Sequence, residues 1–201
     1  LINCTGQYSD VVSKVFNVGK KYTLLPFKGL YYGLNKNSNI RLNGLIYPVP
    51  DLNVPFLGIH SVKLVDGSVY FGPTAVPAFG REHYQGFKGV NIKDATSISY
   101  HLLRQYISNK QGFRSYTHQE MHRFLKSEFL KSMQKLIPKL SNSDLVVSEK
   151  AGIRAQLLDT KSNELVMDFL VERVDNTTHV LNAVSPAFTS AFSFAKYILN
   201  K

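Results

Sequence analysis

The spacing of hydrophobic and polar positions changes several times along the chain. Leu1 and Ile2 are followed by the small and polar run Asn3-Cys4-Thr5-Gly6. That is the pattern of a strand running into a tight turn, where Gly6 can take positive φ. Apolar residues then recur at Val11, Val12, Val15 and Phe16. This spacing predicts a helix from Tyr8 to Phe16, with Ser9 or Asp10 as its N-cap. A lone strand cannot bury itself, so a strand at residue 1 needs a partner from elsewhere. We therefore expect this chain to be the later part of a longer polypeptide.

From Lys20 to about Gly80 the pattern is that of strands. Tyr22 to Phe27 and Gly29 to Leu34 are aromatic and apolar runs broken by Gly. Ile40 to Val49 predicts another strand, ended by Pro48 and Pro50, and Phe56 to Val65 predicts the next. Asp66-Gly67 separates that run from Ser68 to Phe71, a strong hairpin signal. Short strands joined by tight turns imply an antiparallel sheet.

From Asp94 to Leu140 the period becomes helical. Ile98, His101, Leu102, Gln105 and Tyr106 share one face of a first helix. Thr117 with Glu120 three residues on predicts a capping box. The helix it opens carries Met121, Phe124, Leu125, Phe129, Leu130, Met133, Leu136 and Ile137, and Pro138 limits it. Strand texture returns at Ile153–Leu158, Val166–Val174 and His179–Ala183. Ser185-Pro186 then predicts the start of a last helix, with Phe188, Ala191, Phe192, Ala195, Ile198 and Leu199 as its buried stripe. The order is strand-turn-helix, an inserted sheet with helices, then strand-turn-helix. It implies an α+β chain in which one domain interrupts another.

Composition narrows the picture. The chain has 201 residues, 44% hydrophobic and 19% charged, which allows one domain or one domain plus part of another. No apolar run is long enough to span a bilayer, so no transmembrane segment is expected. The single cysteine, Cys4, excludes a disulfide framework and suits a reducing interior. A net charge of +10 raises the question of nucleic acid. The basic residues are scattered, however, and the densest group, Lys126 to Lys139, falls on the solvent side of an amphipathic helix. No nucleic-acid partner is expected. His118 and His122 stand at i, i+4, but Gln119 occupies the place where a zinc peptidase needs Glu, and no metal site is expected. Gly-x-Ser-x-Gly and Gly-x-Gly-x-x-Gly are both absent from the sequence.

Two residues stand out. His60 sits on a strand beside small positions, Gly58 and Ser61, and reads as a structural histidine or as a base. Arg154 lies in Ala151-Gly152-Ile153-Arg154-Ala155-Gln156. An arginine in such a run is costly to bury without an anion, either a carboxylate ligand or an internal acid such as Asp159 or Asp168. The Ser185-Pro186 turn aims free N–H groups at whatever sits above it, or is an ordinary helix cap.

Taken in order, several segments resemble the L-2-hydroxyglutarate oxidase/dehydrogenase family, FAD-dependent oxidoreductases of the D-amino-acid-oxidase type. They are Asn3 to Asp10, Pro26 to Tyr32, Gly44-Leu45-Ile46-Tyr47-Pro48-Val49-Pro50-Asp51, Pro55 to His60, Asp66 to Val69 and Gly72 to Val76. Ala151 to Gln156 and His179 to Ala187 complete the set. The Ile-Tyr-Pro-Val-Pro and Asn-Ala-x-Ser-Pro-Ala pieces are the specific ones.

The resemblance implies remnants of a Rossmann-like FAD domain at residues 1–18 and 148–201. Between them, residues 19–147 form a substrate domain of mainly antiparallel sheet flanked by helices. It implies oxidation of a 2-hydroxy dicarboxylic acid, L-2-hydroxyglutarate to 2-oxoglutarate. His60 is the expected general base. Arg154, Lys28, Tyr31 and Tyr47 are the expected substrate residues. Gly6, Gly152, Ser185, Pro186 and Ala187 are expected at the flavin. The family usually has Arg and an acid where this chain has Lys28 and Leu30, and Lys is the poorer bidentate group. FAD is expected in the complete protein and not in this chain, which lacks the dinucleotide fingerprint and is expected to be inactive alone. Its partner would be a separate FAD-domain chain or a second copy of itself. Its place would be cytoplasmic, or peripheral at a membrane. The alternative is a non-enzymatic interaction module from a split or decayed gene.

Overall fold

The computed structural model describes residues 1–49, 58–184 and 187–200. In chain order the main elements are β1 (Ile2–Asn3), α1 (Ser9–Val15), β2 (Tyr22–Leu34), β3 (His60–Lys63), β4 (Val69–Gly72) and β5 (Val76–Pro77). These are followed by α2 (Ile92–Ser108), α3 (Phe113–His122), α4 (Lys126–Gln134), β6 (Leu145–Asp159), β7 (Glu164–Leu165), β8 (Leu170–Val174), β9 (Thr177–Asn182) and α5 (Ala191–Leu199). The chain divides into two compact units, one of residues 1–24 with 156–201 and one of residues 25–155. No helix among the described residues is long and apolar enough to cross a membrane.

In the first unit the strands run in the order β1-β9-β8. β1 lies parallel to β9, with Asn3 opposite His179, and β8 is antiparallel to β9. α1 follows a single 3-10 turn at Gly6–Tyr8. Its burial reverses the expected one: Ser9, Asp10 and Ser13 are buried, while Val11 and Val15 are exposed. The reason is hydrogen bonding. Ser9 Oγ donates to the Leu181 carbonyl of β9 at 3.0 Å, and the Asp10 carboxylate accepts the Leu24 N–H at 3.2 Å. Short polar side chains let the helix approach the strand, and each buried polar atom of these two finds a partner there. Tyr22, Leu157 and Leu181 form the apolar core, joined by Val166 and Leu170.

The strand expected over Val166–Val174 begins only at Leu170. The carbonyls of Val166 and Asp168 instead accept the Asn182 side-chain amide, at 3.1 and 2.8 Å. The last helix also starts late, at Ala191 after a turn. Of its expected buried stripe only Ile198 is buried; Phe188 is 95% and Phe192 93% exposed. Ser185 and Pro186 lie outside the described residues.

In the second unit the strands run in the order β3-β4-β2-β6, with β5 also on β2. The Asp66-Gly67 hairpin forms as expected, pairing Lys63 with Val69, and Gly67 takes φ +83°. Phe71, Phe129, Met133, Leu140 and Leu145 make the core, with the Tyr32 ring 4.7 Å from that of Phe129. The strand expected over Ile40–Val49 is absent among the described residues. Only Ile46 pairs, in an isolated bridge to Ser61. Ile40, Leu42 and Ile46 still pack on the core, so burial is satisfied without a ladder. Pro48 lacks the N–H that a ladder would use.

The long helix expected from Thr117 is two helices. Thr117 lies inside α3, its hydroxyl donating to the Phe113 carbonyl at 2.8 Å, and so it caps nothing. Glu120 is drawn away from the backbone of its own helix, to the Ala75 N–H and Arg123. Leu125, extended at φ −77° and ψ 125°, separates α3 from α4.

Candidate active site

Alternation along β2 sorts its side chains onto two sides. Phe27, Gly29 and Tyr31 line a cleft of about 190 Å³, closed by Pro73, Thr74 and Ala75 and by Gly152, Ile153 and Arg154 of β6. Gly29 is required there, since a Cβ on it would fall 2.5 Å from the Pro73 Cβ. The β3–β4 register sets His60 opposite Gly72, and the β2–β4 register sets Tyr32 opposite Phe71. Gly72 is thus the spacer between His60 and Tyr31. A Cβ on it would lie 2.9 Å from Tyr31 Cδ1.

His60 is buried, and its ring stacks on that of Tyr47 with centroids 4.4 Å apart. Nδ1 lies 2.9 Å from the Gly58 carbonyl, which can only accept, so Nδ1 carries the proton. The neutral ring then holds a lone pair at Nε2. Burial pushes the His60 pKa down and the nearby positive charge of Arg154 adds to this, against the Gly58 hydrogen bond. The imidazole is therefore neutral at pH 7, as a general base must be.

Arg154 connects the groups of the cleft. Burial lowers its pKa, while Tyr116, Tyr31 and Glu120 favour its charge. Burial raises the Tyr31 pKa and Arg154 opposes that rise. The Tyr116 hydroxyl is pushed far up by burial and by Glu120, and Arg154 again opposes. One guanidinium thus acts on His60, Tyr31 and Tyr116. Asp159, one of the acids expected to neutralise Arg154, is engaged by Lys21 at 2.8 Å.

His60, Tyr47, Tyr31, Arg154 and Gly152 thus come together in the second unit. Lys28 does not join them. As the even-numbered neighbour of Phe27 and Gly29 it borders a separate groove of about 630 Å³ with Leu30, Phe79 and His83. Its ammonium lies 3.4 Å from His83 Nε2, and burial lowers its pKa. In the first unit, Gly6 takes φ +57° with no atom within 4 Å of a built Cβ, and Ala187 lies in the turn before α5.

Three residues escaped the sequence reading. Tyr116 stands outside the apolar stripe of its helix, and Glu120 reads as a capping residue. Only the fold brings them beside Arg154. Lys150 Nζ lies over the rings of Tyr31 and Tyr70, 5.6 and 4.6 Å from their centroids. The alternation of Lys150, Gly152 and Arg154 was a signal that could have found it.

The second unit thus gathers a buried imidazole, a half-buried guanidinium and glycine-lined backbone, and sequence comparison supplies the class. The chain belongs to the FAD-dependent oxidoreductase family DAO, whose pattern matches residues 1–200. It is 40% identical over 204 residues to an L-2-hydroxyglutarate dehydrogenase of Indibacter alkaliphilus, covering 96% of this chain and 48% of that protein. It is 37% identical over 202 residues to the L-2-hydroxyglutarate dehydrogenase of Escherichia coli K12, covering 100% of this chain and 47% of that protein. The chain spans about half the length of the curated relatives it matches. Among solved structures, the fold is similar to an L-alpha-glycerophosphate oxidase from Mycoplasma pneumoniae, a dithionite-reduced form with FAD bound. The TM-score is 0.55 at 16% identity, over 98% of this chain and 41% of that one.

Proposed function

We propose that this chain supplies the substrate side of an FAD-dependent oxidoreductase that converts L-2-hydroxyglutarate to 2-oxoglutarate. The observation that carries the reading is the shared face of His60, Tyr31 and Arg154, with Gly72 between the first two. The planar fork of Arg154 suits the carboxylate next to the reacting carbon. His60 Nε2 takes the hydroxyl proton as the carbon–hydrogen bond breaks. Tyr47 holds the imidazole plane by stacking, and Gly58 fixes its tautomer. The alcohol loses two electrons and two protons to become the ketone, one of those protons passing to His60.

A bound FAD would supply the hydride acceptor. Gly6 is compatible with such a group: at φ +57° with no atom within 4 Å of a built Cβ, its backbone is open to a flat ring. Gly6 and Ala187, both in the unit of residues 1–24 and 156–201, are the described residues we assign to it, and residues 25–155 are the substrate side. On this reading the flavin's pyrophosphate is held outside these 201 residues, which alone should bind no flavin tightly.

The test joins the chain to the upstream half of the Escherichia coli relative and follows dye reduction by L-2-hydroxyglutarate. Turnover that His60→Gln abolishes supports the reading. Turnover indifferent to both His60→Gln and Arg154→Met overturns it, and so does stoichiometric flavin absorbance in the 201-residue chain alone.

A further inference from the structure

We propose that Lys150 determines specificity: it seats the second carboxylate of the ligand that Arg154 holds, across the ring of Tyr31. This rests on the assignment of Arg154 as the first carboxylate seat.

The argument begins with strand geometry. Lys150, Gly152 and Arg154 are alternate residues of β6, and alternate side chains of a strand share a face. Four residues place the two basic Cα atoms about 13 Å apart at roughly 3.3 Å per residue. Both side chains are long enough to lean inward from that spacing. Gly152 keeps the space between them clear, with no atom within 4 Å of a built Cβ.

The position of the ammonium agrees. Lys150 also borders the groove beside Lys28, but its charged end is the part that lies over Tyr31, 5.6 Å from the centroid. Tyr31 in turn lines the cleft with Arg154. Two cations therefore flank one ring. No carboxylate among the described residues lies within ion-pair distance of Lys150; the Asp66 carboxyl only feels its charge. The Lys150 stem is exposed and its head rests on two rings, a contact worth little beside a carboxylate partner. A ligand with one carboxylate uses Arg154 alone, and a ligand with two uses both.

The experiment is calorimetric titration of the 201-residue chain with 2-oxoglutarate and with 2-oxopentanoate, which has the same carbon chain without the second carboxylate. Wild type should favour 2-oxoglutarate about tenfold, the size of one charge-assisted hydrogen bond. In Lys150→Met the ratio should fall to about one, and Lys150→Arg should keep it. Lys150 is exposed, so neither change threatens folding. Equal affinity of wild type for both probes overturns the Lys150 seat and leaves Arg154 standing. So does a preference that survives in Lys150→Met. Failure of both probes to bind overturns the Arg154 assignment and the Lys150 seat with it.

Discussion

The Asn3 side-chain amide donates to Nδ1 of His179 at 3.2 Å, tying β1 to β9 inside the first unit. The other ring nitrogen, Nε2, lies 3.0 Å from the Thr177 hydroxyl, so the ring is the neutral Nε2–H tautomer. Nothing is left to accept a second proton without breaking the bond to Asn3. Burial, the largest cause, holds the His179 pKa below its usual value, against the opposing charge of Glu172.

Stability should therefore fall on acidification. The folded pKa lies below the unfolded value of about 6.5, so the native state resists a proton that the unfolded chain takes up. Stability is complete above that pH, declines between it and the folded pKa, and levels below. His60 contributes with the same sign. Urea midpoints should be lower at pH 5 than at pH 7.5, and His179→Gln should flatten the dependence. A pH-independent midpoint in the wild type would contradict the assignment.

Arg154 lowers the His60 pKa by its charge, and removing it should be visible at His60 without any turnover. In Arg154→Met the His60 resonance, followed by NMR on this chain, should titrate at higher pH than in wild type. In the flavin-loaded assembly the same change should raise KM about 10- to 100-fold. An unchanged His60 titration would place the guanidinium away from the imidazole.

His60→Gln in that assembly should lower kcat by about 10²- to 10⁴-fold, the range for loss of a general base. The wild-type rate should rise with pH through an inflection below 6.5, since the base must be neutral and its pKa is depressed. The variant should lose that inflection, and persistence of it would assign the titration to another group.

Two glycines of the cleft should differ in their response to Ala. At Gly29 a Cβ meets Pro73 Cβ at 2.5 Å, and overpacking of this kind costs about 1–3 kcal/mol. At Gly152 nothing lies within 4 Å, and thermal stability should hardly move. Melting temperatures of the two variants decide this, and equal effects would contradict the wall geometry.

Much of the second unit was legible in sequence. Asp66-Gly67 announced its hairpin because a two-residue turn with φ above zero has few chemical solutions. His60, Tyr31 and Arg154 were singled out through resemblance, and the pairing of β3, β4 and β2 explains why His60 and Tyr31 flank Gly72. Alternation along β2 sent Lys28 to the other side, which a reading of segments without register misses. The α3–α4 break was hidden because Glu120 accepts the N–H of Ala75, 45 positions away in sequence, instead of capping its own helix. The reversed α1 was hidden because hydrogen bonds to Leu181 and Leu24, not hydrophobicity, decide which side of that helix faces the sheet.

The parity of β2 has an evolutionary corollary. Inserting or deleting one residue within Tyr22–Leu34 would exchange the side chains that line the cleft with those of the opposite side at every later position of the strand. Length variation among natural variants should therefore be excluded there and tolerated in the irregular stretch from Asn35 to Val49, where no ladder counts residues.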